Sequence, residues 1–78
     1  MAKSVHTQQY RRFRALLTEA RKTAGLTQVE LSAQLERPQS FVSKVERGER
    51  RLDVIEFLEM ARVLRLDVVA FLHKLDAP

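Results

Sequence analysis

The sequence predicts an all-α fold of five helices, in which the second and third helices form a helix-turn-helix. Apolar residues recur at helical spacing through most of the chain. Two segments open with capping boxes, Thr27 with Glu30 and Asp53 with Glu56. The sequence shows neither an alternating apolar–polar run nor a hairpin dipeptide, which are the signals that a strand would give.

The first helix is expected to begin at Thr7 and to end at Gly25. Its apolar residues share one stripe: Tyr10, Phe13, Leu16, Leu17, Ala20 and Ala24. Glycine adopts the left-handed conformation that commonly closes a helix, which predicts the end at Gly25.

The central motif consists of two short helices separated by only two residues. The first of them runs from Thr27 to Leu35, and the second from Pro38 to Gly48. Proline is tolerated in a first helical turn, because the N–H there has no helical partner. Only Glu36 and Arg37 lie between the two helices, so they must cross steeply, as in a helix-turn-helix.

The second helix of the motif has two chemically different faces. Val42 and Val45 are expected to point into the core. The opposite face presents four polar residues: Gln39, Ser40, Ser43 and Lys44. An amide can bond adenine and a basic side chain can reach guanine, so this face suits the reading of bases in a major groove. An ordinary surface helix carrying such residues by chance is the alternative.

The last two helices are predicted from their caps. Asp53 opens a helix that buries Phe57, Leu58, Ala61 and Leu64, and Asp67 caps the final helix. The final helix carries more apolar residues than one core contact needs: Val68, Val69, Phe71, Leu72 and Leu75. Two interpretations remain open, namely a face for a second copy of the chain and the domain's own core.

Length and composition limit what the chain can be. Seventy-eight residues make one domain, predicted over residues 7–78, with a flexible N-terminal extension at residues 1–6. The absence of cysteine and the wide separation of His6 and His73 predict no metal site, and nothing suggests a cofactor. The longest apolar run, residues 68–72, is far too short to span a membrane, and no signal peptide is recognisable, so a cytoplasmic protein is expected.

Positive charge is concentrated in two segments. Residues 1–22 carry six basic and one acidic side chain, and residues 37–51 carry five basic and two acidic ones. This distribution indicates a polyanionic partner, with nucleic acid favoured over a membrane surface. Three arginines lie away from the apolar stripe of the first helix, and both a solvated face and a DNA-backbone contact remain open for them: Arg11, Arg12 and Arg14.

From about Phe13 to Leu75 the chain resembles the Xre family of lambda-repressor-like bacterial and phage regulators. The resemblance rests on the run Gly25–Gln28, the run Ser43–Gly48, and four apolar positions: Leu31, Leu35, Ala61 and Leu64. It implies a five-helix DNA-binding domain that acts as a sequence-specific regulator of transcription, expected to be a repressor or autoregulator, binding a palindromic double-stranded site as a homodimer.

The resemblance also implies roles for individual residues. Gln39, Ser40, Ser43 and Lys44 would face the base edges. Phosphate contacts would come from Thr27, Gln28, Arg37, Arg47, Arg50 and Arg51. Arg21 and Glu46 occupy positions that often form an ion pair in this family, so a partly buried pair is expected between them.

Three residues depart from the family pattern. Glu36 stands in the turn where glycine is usual, so a left-handed backbone there would be strained. Pro38 replaces the usual capping Ser or Thr, which removes a side-chain cap but fixes φ. Phe41 is large for a position near DNA, and packing beside Val45 is favoured over contact with a thymine methyl group.

The sequence also bears on function classes other than DNA regulation. A protein-interaction module, such as an antitoxin or adaptor, is the alternative, with the final helix as its contact face. An enzyme is not expected, because the sequence lacks cysteine, paired histidines and a glycine-rich phosphate loop. RNA binding is disfavoured because the five aromatic residues are needed mostly for the core.

Overall fold

The computed structural model describes residues 7–77, which form five helices. They are α1 (Gln8–Thr23), α2 (Gln28–Gln34), α3 (Phe41–Glu46), α4 (Val54–Leu64) and α5 (Val68–Asp76). No strand occurs within this range, so the predicted all-α fold is confirmed. The extension predicted at residues 1–6 lies outside the described residues.

Side-chain caps begin four of the five helices. The Thr7 hydroxyl accepts from the Tyr10 N–H, and an Asp67 carboxylate oxygen accepts from the Ala70 N–H. Both predicted capping boxes are present. Glu30 accepts from the Thr27 N–H at 2.8 Å, and Glu56 accepts from the Asp53 N–H at 3.1 Å. These reciprocal bonds satisfy backbone donors that have no partner inside the helix.

Helix α3 begins later than predicted, at Phe41 instead of Pro38. Residues 38–40 form a turn in which the Phe41 N–H donates to the Pro38 carbonyl at 2.9 Å. Ser40 has ψ near zero and provides no side-chain cap, so the chain enters the helix through a tighter turn. Gln39 and Ser40 therefore lie just before α3, whereas Ser43 and Lys44 lie on it.

The core lies where the helix-turn-helix packs against α1, α4 and α5. Val42 and Val45 are each 1% exposed, as predicted, and Phe41 is buried with them. Phe57 and Phe71 pack against each other and against Phe13, with ring centroids 5.2–5.8 Å apart. In α4, Met60 occupies the core and the predicted Leu58 is only half-buried: the buried residues there are Phe57, Met60, Ala61 and Leu64.

The five apolar residues of α5 do not form one face. Phe71 belongs to the core, and Val68 and Leu75 are half-buried. Val69 is 65% exposed and Leu72 46% exposed. Only these last two therefore present substantial apolar surface to solvent.

The turn of the helix-turn-helix has a left-handed backbone at Glu36, the position where the family usually has glycine. Glu36 has φ of 56°. A side chain in this region crowds the following carbonyl, which costs roughly 1–2 kcal/mol. The Glu36 N–H donates to Ala33 and the Arg37 N–H to Ser32, so hydrogen bonds close the end of α2 around the strained residue.

Candidate nucleic-acid interface

The side chains predicted to read bases lie on an open surface. Gln39, Ser40 and Lys44 are exposed, and Ser43 is half-buried. The side chains of Gln39 and Lys44 make no hydrogen bond or ion pair with any described residue. The Ser43 hydroxyl donates to the Ser40 carbonyl at 3.1 Å, which turns it toward its own backbone. The side chains of Gln39, Ser40 and Lys44 are therefore exposed and not held by other described residues.

The starts of α2 and α3 share one surface. A shallow depression of about 490 Å³ is lined by Gln28 and Val29 from α2 and by Gln39, Ser40 and Ser43. The first intrahelical bond of α2 runs from the Leu31 N–H to the Thr27 carbonyl. The backbone N–H groups of Gln28 and Val29 therefore lack intrahelical acceptors, and such groups favour anions.

Arg21 and Glu46 lie together beneath this surface. The Arg21 Nε is 2.8 Å from Glu46 Oε2, and Arg21 Nη2 donates to Glu46 Oε1 at 3.1 Å. Their side chains are only 10% and 8% exposed. Arg21 also donates to the Leu26 carbonyl at 2.9 Å. The pair thus ties α1 and the start of the helix-turn-helix to the end of α3.

Gln28 joins the same cluster. The amide or the backbone N–H of Gln28 was predicted to contact a phosphate, and the amide Nε2 already donates to Glu46 Oε1 at 2.8 Å inside the protein. The backbone N–H of Gln28 has no acceptor within the helix.

Arg12 and Arg14 are half-buried, and each donates to backbone carbonyls of a distant part of the chain. Arg14 Nη1 donates to the Glu46 carbonyl at 3.1 Å, at the end of α3. Arg12 Nη1 donates to the carbonyls of Leu75 and Ala77. Cations at helix C-termini are favourable because they complement the unpaired carbonyls there. Both arginines thus act as braces between α1 and distant parts of the chain.

Arg37 and Arg50 converge on one carboxylate. Arg50 makes a two-pronged contact with Glu56, at 2.8 and 2.7 Å, and Arg37 Nη1 lies 3.2 Å from Glu56 Oε2. Their guanidinium carbons also lie 4.9 and 5.0 Å from the Phe41 ring centroid. Hydrogen bonds from Arg50 lower the pKa of Glu56, and hydrogen bonds to Glu56 raise the pKa of Arg50. Two predicted phosphate contacts are therefore held by an acid of the same molecule.

The remaining predicted phosphate contacts are more accessible. Arg47 pairs with Glu49 at 2.9 Å, but both side chains are more than half exposed, so water and salt weaken the pair. Arg51 is exposed, with its guanidinium 5.9 Å from the Tyr10 ring centroid. The exposed Thr27 hydroxyl accepts from the Glu30 N–H as the cap of α2.

The comparisons with known proteins agree with this geometry. A family model described as a helix-turn-helix domain matches residues 12–73. A solved structure of an XRE-family like protein from Pseudomonas syringae pv. tomato str. DC3000 superposes with a TM-score of 0.85 at 54% identity. That match covers 95% of this chain and 90% of the other. The chain belongs to the Xre family. No curated protein matches it.

Membership of the Xre family confirms the resemblance drawn from the sequence and supports a DNA-binding regulator. In this Xre-family chain, no described helix is long and apolar enough to cross a membrane. Within residues 7–77 no group of three or more histidines, cysteines or acids is arranged to hold a metal ion.

This Xre-family domain also exposes an apolar region away from the helix-turn-helix. Val54 and Ile55, at the start of α4, are 71% and 65% exposed. A groove of about 380 Å³ connects Val54 with Leu72 and Leu75 of α5. The exposure of Val54 and Ile55 does not follow from the apolar stripe of α4, although both residues directly follow its cap and are unusually apolar for an open first turn.

Proposed function

We propose that the chain is a sequence-specific regulator of transcription that binds double-stranded DNA in the cytoplasm and catalyses no reaction. The observation that carries the proposal is the shared surface at the starts of α2 and α3. It combines exposed Gln39, which lacks a partner among the described residues, with the backbone donors of Gln28 and Val29. Such a surface fits a major groove, where base edges and phosphates are reached together.

Base reading is assigned to the turn before α3 and to its outer face. The Gln39 amide matches the donor and acceptor of adenine, and the Lys44 ammonium matches the acceptors of guanine. Ser40 and Ser43 are small and allow the backbone to approach the bases. Because neither Gln39 nor Lys44 has to leave a partner among the described residues, both bind without breaking a described contact.

Phosphate binding is assigned mainly to Thr27, the Gln28 backbone, Arg47 and Arg51. The exposed pair between Arg47 and Glu49 opens at little cost. Arg37 and Arg50 contribute less in the proposal, because Glu56 already binds their guanidinium groups. These phosphate contacts would set the position of the domain and supply attraction that is independent of sequence.

A two-fold homodimer would place two such surfaces on a palindromic site. One small domain contacts too little DNA for tight specific binding, and half-sites are expected about 34 Å apart. Of the α5 residues predicted for the dimer face, Val69 and Leu72 have the exposure that a contact needs. The exposed Val54 across the groove from Leu72 extends this candidate face.

Selection of bound fragments from random duplex DNA tests the proposed function. The expected result is a palindromic motif with half-sites about one helical turn apart. Recovery of no enriched motif, together with loss of binding near 0.15 M salt, would contradict sequence-specific regulation.

The dimer is tested separately by Leu72→Asp. A charge placed on the proposed face should shift the protein from dimer to monomer in sedimentation experiments and weaken binding to the full palindrome more than to a half-site. Ala24→Asp is the control, since Ala24 is exposed at the end of α1. Equal sedimentation of wild type and Leu72→Asp would remove this face from the proposal.

A second candidate function is that of a protein-interaction module. The exposed side chains of Val54, Ile55 and Val69 favour it, because each is 65% exposed or more and burial of such surface stabilises complexes. The two functions differ in a simple measurement. An interaction module alone would be monomeric and would tolerate a Gln39→Ala, Lys44→Ala double variant with cellular function intact.

A further inference from the structure

Glu56 is the one described acid that binds two of the arginines beside the proposed DNA surface. Its carboxylate accepts two hydrogen bonds from Arg50 and one from Arg37. The Glu56 side chain is only 10% exposed, whereas the Arg37 and Arg50 side chains are 31% and 40% exposed. The acid is thus covered, and the two cations reach partly into solvent.

The two arginines stand next to the helix that is proposed to enter the groove. Both guanidinium carbons lie about 5 Å from the ring of Phe41, the first residue of α3. Arg37 Nη2 also lies 3.6 Å from Glu59. The group therefore presents arginines at the edge of the DNA surface while adjacent carboxylates offset their charge.

We propose that Glu56 is a specificity-determining residue, which limits sequence-independent attraction to DNA by holding Arg37 and Arg50. The inference rests on the proposed DNA-binding function and assigns Glu56 a role in its regulation of specificity. Counterion release makes each neutralised phosphate add to affinity for every sequence alike. Glu56 offsets one of the two positive charges, and Glu59 lies 3.6 Å from Arg37. The paired arginines therefore add less to that general attraction, and discrimination by Gln39 and Lys44 counts for more.

The substitution Glu56→Gln tests the inference and keeps the helix cap. Glutamine at this position of a capping box still accepts from the Asp53 N–H, so α4 retains its start. Arg50 loses its ion pair and Arg37 keeps only the longer contact with Glu59, so both guanidinium groups become more available to phosphates. Affinity for random duplex DNA should rise about five- to tenfold at 0.1 M salt for each additional phosphate that a released arginine neutralises. The logarithmic salt dependence should steepen by about 0.9 for each such phosphate.

Glu30→Gln is the matched control. Glu30 holds the same capping position in α2, but it forms no ion pair with any described residue. This variant removes one negative charge without releasing an arginine, so its salt dependence should steepen less than that of Glu56→Gln.

A triple variant, Arg37→Gln, Arg50→Gln and Glu56→Gln, separates release of the arginines from loss of the acid. If the arginines add little in the wild type, the triple variant should bind random duplex DNA within about twofold of the wild type. It also removes the exposed cations and the covered anion together, so it provides a readout should Glu56→Gln alone fold poorly. Circular dichroism establishes which variants are folded.

We expect Glu56→Gln alone to bind random DNA more tightly than the wild type does. Its ratio of affinity for the specific site to affinity for random DNA should be lower. Two results would overturn the inference and leave the proposed function intact. In the first, folded Glu56→Gln binds random DNA no more tightly than the wild type. In the second, the triple variant binds random DNA far more weakly than the wild type. Failure of the wild type to bind DNA would instead overturn the proposed function and the inference together.

Discussion

Arg21 Nε lies 2.8 Å from Glu46 Oε2, and this pair joins the last turn of α1 to the last residue of α3. Gln28 bonds the same carboxylate from the start of α2. The orientation of both helices of the helix-turn-helix therefore depends on one covered acid. A covered pair of this kind does not itself guarantee stability, but removal of one partner leaves the other charge without compensation.

Glu46→Ala should lower the free energy of unfolding by about 3 kcal/mol, because Arg21 stays covered without its partner. Urea denaturation measures the change. Glu49→Ala is the control, since its pair with Arg47 is more than half exposed and should contribute below about 0.5 kcal/mol. An equal decrease in unfolding free energy in the two variants would show that Glu46 stabilises the fold no more than an exposed ion pair does.

Gly48→Ala should destabilise the domain more than Gly25→Ala. Both glycines have left-handed backbone, with φ of 80° and 77°, so alanine costs roughly 1 kcal/mol at either position. A Cβ at Gly48 would also lie 2.7 Å from Arg14 Nη1, whereas nothing lies within 4 Å at Gly25. The Arg14 guanidinium would have to move off the Glu46 carbonyl, which adds about 1 kcal/mol. Denaturation curves that show the same loss for both variants would contradict the brace assigned to Arg14.

Glu36→Gly should raise the free energy of unfolding by about 0.5 kcal/mol. The gain from relieving a left-handed side chain at φ 56° exceeds the entropy that glycine loses on folding. Ala33→Gly, inside α2, should instead lose about 1 kcal/mol. Thermal unfolding of both variants gives the comparison, and a loss at Glu36 would mean that its backbone is not strained.

The stability that Glu56 supplies should disappear in acid. Hydrogen bonds from Arg50 lower the pKa of Glu56 in the folded state below its ordinary value of 4.5. A carboxyl group with a lowered pKa contributes its full stabilisation at pH values above its pKa in the unfolded chain. This contribution is lost as the pH falls through its pKa in the folded protein. The difference in unfolding free energy between wild type and Glu56→Gln should therefore be constant above about pH 5.5 and shrink below it. Denaturation across this range measures the difference, and a pH-independent value would contradict the ionic role of Glu56.

Local features of the fold were predictable from the sequence, and the Arg21–Glu46 pair from the family resemblance, whereas the other long-range contacts of arginine were not. The caps at Thr27 and Asp53 depend on residues three apart, and the inward direction of Val42 and Val45 follows from helical periodicity. Arg14 reaches Glu46, which is 32 residues away, and such contacts depend on packing that the sequence pattern does not specify.

The candidate site shows the same division. The sequence indicated Gln39 and Lys44 as an outward polar set, and the structure leaves both exposed. The sequence pattern indicated only a capping role for Glu56. The contacts of Glu56 with Arg37 and Arg50 require the turn and the α3–α4 connection to come together, which the pattern does not specify. The late start of α3 was also missed, since Pro38 is compatible with both a first helical turn and the turn before it.

The most direct test of DNA reading compares Gln39→Ala with Arg51→Ala on the selected site and on random duplex DNA over a range of salt concentrations. Gln39→Ala should cost roughly 1–3 kcal/mol on the selected site, relax preference at one base pair and leave random binding unchanged. Arg51→Ala should weaken binding to both DNAs alike and reduce the salt slope by about one. Indistinguishable effects of the two variants on both DNAs would contradict the assignment of base reading to the surface around Gln39.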